Sequence, residues 1–172
     1  MSELQHSLPP GFFTRHTATA LMAQSDCQLA LHGRLTAPVV YDCASDKYLP
    51  ICWADAFKMI ANQLNALDRP GQAVFHTGGR IGSEVTATIQ GMLAGDVRVF
   101  IGLGDNFIAA AGNAEQARQG LAQCDLTVHV ATRLARAHLA HGRNALILPR
   151  PQATPTSSKL FFDVRDSQIV VD

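Results

Sequence analysis

At 172 residues the chain is the size of one domain and long enough to bury a real core. Hydrophobic residues make up 47% and charged residues 16%, the profile of a buried-sheet globular protein rather than a disordered one. Its 14 basic and 14 acidic residues cancel, so no net field draws it to nucleic acid or to an anionic membrane.

Residues 1–32 read as a lead-in. Pro9-Pro10-Gly11 breaks any early element, and one modest helix is expected from Thr14 to about Leu31. Val39-Val40-Tyr41 is a short extended piece, Ala44–Lys47 a turn, and Tyr48-Leu49 a second extended piece before Pro50, which forces an extended predecessor. Trp53, Phe57, Ile60, Leu64 and Leu67 then recur at helical spacing as one apolar stripe, ended by Asp68-Arg69-Pro70-Gly71. Asp55 suits the positive end of that helix. Cys52 falls at its cap, where a thiol accepts a backbone hydrogen bond poorly and costs about 0.5–2 kcal/mol relative to a good capping residue.

Ala73–His76 reads as a buried strand running into Thr77-Gly78-Gly79-Arg80. A helix follows from Ser83 to Ala94, with Ile81, Val85, Ile89 and Met92 facing inward and Gly95 as a left-handed terminator. Val97–Ile101 is a continuous apolar strand, interrupted only by Arg98 and followed by a loop at Gly102–Phe107. Asn113, with Gln116 three residues on, opens a helix over Ala114–Gln123. Strands are expected at Leu126–Val130 and Ala145–Leu148. Pro151–Lys159 is a Pro-, Ser- and Thr-rich linker, and Leu160–Asp172 is either a final strand or a loose tail. Strand–loop–helix repetition with continuous apolar strands predicts an α/β fold: a small, mostly parallel, Rossmann-like sheet flanked by helices.

Cys27, Cys43, Cys52 and Cys124 form no C-x-x-C pair and read as small buried apolar residues, not as metal ligands. His138 and His141 have no carboxylate or cysteine nearby to complete a metal set and read as surface or loop histidines. His76 reads as a strand-terminating polar residue, and Ser83 and Glu84 as helix-start residues. No catalytic residue and no metal ligand is assigned. No apolar run approaches the roughly 20 residues of a membrane span. The segment Met1–His6 lacks the positive and apolar regions of a signal peptide, so the expected address is the cytoplasm.

One segment carries a binding pattern. Val97–Asn106 is a strand running into a glycine-bearing loop with a helix beyond, and in open α/β sheets nucleotides bind past the carboxyl ends of strands. Gly102 and Gly104 lack side chains that would keep backbone N–H groups from phosphate oxygens. The third glycine of the dinucleotide fingerprint is missing, so the pattern by itself also fits a tight turn.

Two longer blocks resemble the molybdopterin-dependent oxidoreductases of the formate dehydrogenase alpha-subunit type. The first, Gly33 to about Gln90, carries Arg34-Leu35-Thr36, Lys47-Tyr48, Pro50, Trp53 and Gly79-Arg80, with Glu84 following. Related sequences usually place Ser at the position of Cys52. In the second block, Gly102-Leu103-Gly104-Asp105-Asn106-Phe107 is similar to the family's Gly-Leu-Gly-Gly-Asn-Phe loop, with Asp105 in place of a glycine. Thr132-Arg133-Leu134 is similar to its Thr-Lys-Leu, and Ala135-Arg136-Ala137-His138-Leu139 to its Asn-Arg-Ser-His-Leu. Ala145–Pro149 matches a strand ending in Leu-Pro, and Asp163–Ser167 is faintly similar to a Thr-Val-Glu-Asp-Ser segment.

The resemblance implies a molybdenum bis(molybdopterin guanine dinucleotide) cofactor. Its guanine dinucleotide arm would lie against Gly102, Gly104, Asn106, Thr132, Arg133 and His138, with Arg80 facing an anion from the first block. In the family the two blocks are separated by roughly several hundred residues, more than one ordinary domain holds. The family's metal-ligand and iron–sulfur regions are not among these residues, and the shortened interval falls between Val85 and Gly91. The expected organisation is therefore a lead-in (1–32), a first oxidoreductase-like segment (33–90), a dinucleotide-binding-like α/β segment (91–150) and a tail (151–172). The expected function is that of an internally shortened formate-dehydrogenase-like oxidoreductase, inactive alone. The alternative is a standalone module that binds a guanine nucleotide, a dinucleotide or a protein partner, with self-association as a further expectation.

Overall fold

The computed structural model describes residues 6–77, 83–104 and 106–150. Six strands form one mixed sheet in the order β2-β1-β6-β5-β4-β3: β1 (Val39–Asp42), β2 (Lys47–Pro50), β3 (Ala73–Thr77), β4 (Val99–Leu103), β5 (Leu126–Ala131) and β6 (Asn144–Pro149). The pairs β3/β4, β4/β5 and β5/β6 are parallel, whereas β1 runs antiparallel to both β6 and β2. The fold is thus α/β and mostly parallel as expected, with an antiparallel β1 added. β2 and β1 form a hairpin because Asp46, at a positive φ of 53°, turns the chain back. β4 starts two residues later than its apolar run, since Arg98 is drawn aside into an ion pair with Asp125 at 2.6 Å.

The lead-in region holds three short helices where one was expected: α1 (Phe12–Arg15), α2 (Ala18–Met22) and α3 (Asp26–Leu31). The breaks have local causes. The Thr17 hydroxyl accepts from the Ala20 N–H, and Ser25 forms a reciprocal capping box with Gln28, so each starts a new helix instead of continuing the old one. Phe12, Phe13, Leu21 and Leu29 are buried with Val39, Tyr48 and Ile147, which builds this region into the core.

Helix α4 (Trp53–Asn65) joins β2 at one margin of the sheet to β3 at the other, crossing β1, β6, β5 and β4. Its inner side is Ala56, Met59, Ile60 and Leu64, packed with Leu67 just past its end on Val99, Ile101, Val128, Leu146 and Leu148. The expected stripe is only partly inward: Trp53 is 41% and Phe57 56% exposed, on the flank beside fully buried Ala56. The other helices, α5 (Ser83–Leu93), α6 (Phe107–Ala110), α7 (Ala114–Gln123) and α8 (Arg136–Leu139), cover the opposite face together with α1–α3. α5 buries Val85, Ile89 and Met92 as expected and ends at Gly95, whose φ is +78°. Asn113 caps α7 by accepting from the Glu115 and Gln116 N–H groups.

Two expectations of burial fail. β3 is a margin strand in which only His76 is fully buried, because pairing on one side leaves it half in solvent. Cys27, Cys43 and Cys52 are exposed, and Cys124 alone is buried, since the first three sit on a short helix, in a turn and at a helix cap.

At the cap of α4, the Cys52 sulfur accepts from the Asp55 N–H at 3.4 Å while its thiol donates to the Asp55 carboxylate at 3.1 Å. Cys52→Ser is expected to raise stability by about 0.5–1 kcal/mol, read as a higher urea midpoint. Gly142 is held against the backbone of Cys124 and Leu121, where an added Cβ would collide with main-chain atoms. Gly142→Ala should therefore cost about 2–3 kcal/mol in the same assay. Gly112→Ala, with open space around the position, should stay within about 0.5 kcal/mol of the parent.

Candidate functional site

β4, β5 and β6 end side by side, with Leu103 opposite Val130 and Val130 opposite Leu148. Past these ends lies a cleft of about 260 Å³ lined by Gly104, Asn106, Ala131, Thr132, Arg133, Ala135, His138 and Arg150. Gly104 bends away at φ +71° with its N–H donated to the Val130 carbonyl at 2.7 Å. A side chain there would be strained, and its Cβ would sit 3.0 Å from the Arg150 guanidinium. Arg150 is fixed at its backbone by a 2.9 Å bond to the Ala131 carbonyl.

Five of the seven residues expected at a cofactor site line this cleft: Gly104, Asn106, Thr132, Arg133 and His138. Gly102 does not. It lies inside β4, between His76 and His129 in the sheet register, and an added Cβ would meet the Phe100 ring and His129. Its missing side chain makes room for core rings. Arg80, and Asp105 of the same loop, lie outside the described residues, as does the faint Asp163–Ser167 match.

The side chains at the cleft divide into committed and available groups. The Asn106 amide oxygen accepts from the Ala109 N–H at 3.0 Å, capping α6, which the buried Phe107 ring anchors. Arg133 donates to the Ala30 carbonyl at 2.9 Å and so ties the cleft wall to α3. Arg150 is exposed and has no carboxylate partner among the described residues. It is the residue that sequence reasoning missed: the matched segment ended at Pro149, one position too early. The available signal was a cation directly after a strand-ending proline.

His138 is buried, contrary to its reading as a surface residue, because α8 folds its ring back toward the sheet. Its Nδ1 accepts from the Ala135 N–H at 3.1 Å, which leaves the ring proton on Nε2. Burial lowers its pKa to about 4, against a smaller upward pull from Asp26. Behind it, 5.5 Å away ring to ring, His129 donates through Nε2 to the Ala140 carbonyl at 3.4 Å. Burial, then the neighbouring His138, lower the His129 pKa to about 3. Phe100 and Phe107 continue this buried cluster to His76. Among the described residues the cleft thus presents two guanidiniums and a neutral imidazole donor and no carboxylate, a set suited to an anion. Among the described residues no group of three or more His, Cys, Asp or Glu could hold a metal ion. No described helix is long and apolar enough to cross a membrane.

No protein-family model matches the chain, and no solved structure matches it significantly. Over 79 residues, 46% of its length, it is 43% identical to a Mycobacterium tuberculosis protein named an uncharacterized oxidoreductase. A Mycobacterium bovis protein with the same form of name shows the same identity over the same length. Protein YdeP of Escherichia coli K12 is 38% identical over 79 residues. The chain covers about a tenth of the length of each of these relatives.

The two buried imidazoles set a pH dependence. Both bind a proton more weakly when folded than the ordinary 6.5, so acid favours the unfolded chain as pH falls from about 6.5 toward their folded values. Each should remove about 1.4 kcal/mol per pH unit inside that window. Urea midpoints are expected to begin falling between about pH 6.5 and pH 5.5, above the range in which ordinary carboxylates titrate. His138→Gln should roughly halve that slope.

Proposed function

We propose that the chain is an internally shortened oxidoreductase of the molybdopterin-dependent, formate dehydrogenase-like class, whose working part is a phosphate-binding shelf for a guanine nucleotide. The oxidoreductase half of this reading is supported by the names of the partial relatives. The Rossmann-like half is supported by three parallel strand pairs that converge on one end. One observation carries the proposal: five residues chosen from separate stretches of sequence meet in a single cleft past the carboxyl ends of β4, β5 and β6. The interval proposed as shortened, 85–91, falls inside α5, which packs against α7 so closely that a Cβ on Gly120 would sit 3.1 Å from Met92. Such packing is compatible with a junction that folds.

The whole cofactor of the family does not fit these residues. The cleft of about 260 Å³ is below the roughly 300–1,000 Å³ of sites that enclose a drug-sized ligand, so it would enclose only the phosphate end of one nucleotide, and the cofactor carries two dinucleotide arms. Among the described residues its donors are guanidiniums, amides and one neutral imidazole, which suit phosphate oxygens and offer a metal no thiolate or carboxylate. In this reading the Arg150 and Arg133 guanidiniums offset phosphate charge. The bend at Gly104 lets an oxygen approach the backbone, and His138 donates from Nε2. No redox step is assigned to these residues, and the isolated chain is expected to show no formate oxidation.

Calorimetry with GDP at neutral pH tests the reading. Binding is expected, weakened by added salt and reduced roughly tenfold or more by Arg150→Ala, the loss of one charge-assisted contact. Absence of heat at millimolar GDP would refute it. Equal affinity for inorganic phosphate and GDP would remove the guanine nucleotide from the reading and leave only an anion site.

A further inference from the structure

The face of the sheet covered by α4 is incompletely covered, and the pairing register shows where. One transverse row on that face runs Leu49–Val40–Leu146–Val128–Ile101–Phe75. Leu146, Val128 and Ile101 are buried under α4, whereas Leu49 is 37% and Phe75 57% exposed at the two ends. Leu103, in the next row beside Thr77, is also exposed. Of seven exposed large apolar side chains among the described residues, five belong to this side: Leu49, Trp53, Phe57, Phe75 and Leu103. One helix cannot shield a sheet of six strands.

Among the described strands, none lies along the outer side of β3. Natural edge strands carry charge, proline or a bulge that blocks further pairing. Ala73-Val74-Phe75-His76-Thr77 has no Asp, Glu, Lys or Arg and no proline, and pairs with β4 residue for residue without a bulge. A groove of about 300 Å³ runs along that outer side between β3 and α5, lined by Val74, Phe75, His76, Glu84, Val85 and Thr88 among others. An added strand would therefore have an apolar corner to cover at Phe75 and Leu103 on the α4 face.

We propose that the added strand is β3 of a second copy, antiparallel about a two-fold axis at Phe75. Phe75 is the midpoint of the strand, so self-pairing sets Phe75 against its own copy, Ala73 against Thr77 and Val74 against His76. The charge balance favours a second copy over a charged partner: the chain carries no net charge, so two copies do not repel, and the strand offers no charge for another protein to select. Size sets the strength. The apolar surface available at this margin is roughly 200–400 Å² per copy, below the roughly 800 Å² per partner of a standard interface. The dimer is therefore weak and depends on concentration.

Sedimentation velocity from micromolar to several hundred micromolar protein tests this on the full chain. The parent is expected to pass from monomer to dimer across that range. Phe75→Lys, with an unchanged far-ultraviolet circular dichroism spectrum, should raise the dissociation constant at least tenfold. Trp53→Lys, on α4 away from the strand, should leave it within about twofold. Should Phe75→Lys fail to fold, Thr77→Lys at the same exposed margin takes its place with the same expected rise. A parent that stays monomeric throughout, a dimer indifferent to the strand variants, or one abolished by Trp53→Lys overturns the proposal.

Discussion

Two pairings, Ala73–Thr77 against Val99–Leu103 and Val39–Val40 against Leu146–Ile147, hold the two halves of this chain in one sheet. The first supports β4, the strand whose bend at Gly104 forms one wall of the cleft. The pairing is reinforced at both ends of the connection. On the helical face, α5 lies against α7 with Met92 seated over Gly120, and only a residue without a side chain allows that approach. At the amino ends of the strands, Arg98 bonds Asp125 at 2.6 Å and approaches Asp68 at 3.9 Å, while Arg69 pairs with Asp96 at 2.8 Å. The Arg69 pair is exposed and contributes at most about 1 kcal/mol. Burial of Val85, Ile89 and Met92 at about 1.5–3 kcal/mol each outweighs it, so packing rather than charge joins the halves.

The cleft gains its chemistry from the core beneath it. His138 and His129 are buried among apolar and aromatic groups, where an imidazolium would lose its hydration without a compensating carboxylate in contact. Both rings therefore stay neutral, and their hydrogen bonds to Ala135 and Ala140 fix which nitrogen carries the proton. A neutral donor next to two guanidiniums favours an anion without adding a third charge whose solvation must be removed. The same burial makes the site sensitive to acid, since the wall of the cleft and the stability of the domain share these rings.

How much of this was legible in the sequence varies with the range of the interaction. The central strands were readable because a strand buried on both faces is largely apolar, as in Val99–Ile101 and Ala145–Leu148. Caps and terminators were readable because Asn113 and Gly95 act within a few residues. The burial of β3 was misjudged because margin and centre differ in which strand lies alongside, and Ala73-Val74-Phe75-His76 reads the same either way. Trp53 and Phe57 obey helical spacing, yet the fully buried residue of α4 is Ala56, a small residue that periodicity underweights. Thr17 and Ser25 could have signalled the split lead-in, had their capping been weighed above a continuous helical pattern. At the cleft, resemblance brought Asn106 to attention without showing that its side chain caps α6, and it passed over Arg150 altogether.

The hairpin of β1 and β2 shapes the order in which the molecule can assemble. Val39 and Val40 pair with Ile147 and Leu146, partners near the far end of the described chain. β2 and β3, joined by α4, finish on opposite margins of the sheet. A chain emerging from the ribosome therefore makes its hairpin and longest helix well before the strand that receives them exists. Until β6 arrives, Val39, Val40 and the inner side of α4 have no native surface to rest on. Such long-range closure slows folding and lengthens the time during which apolar strands can find the wrong neighbour.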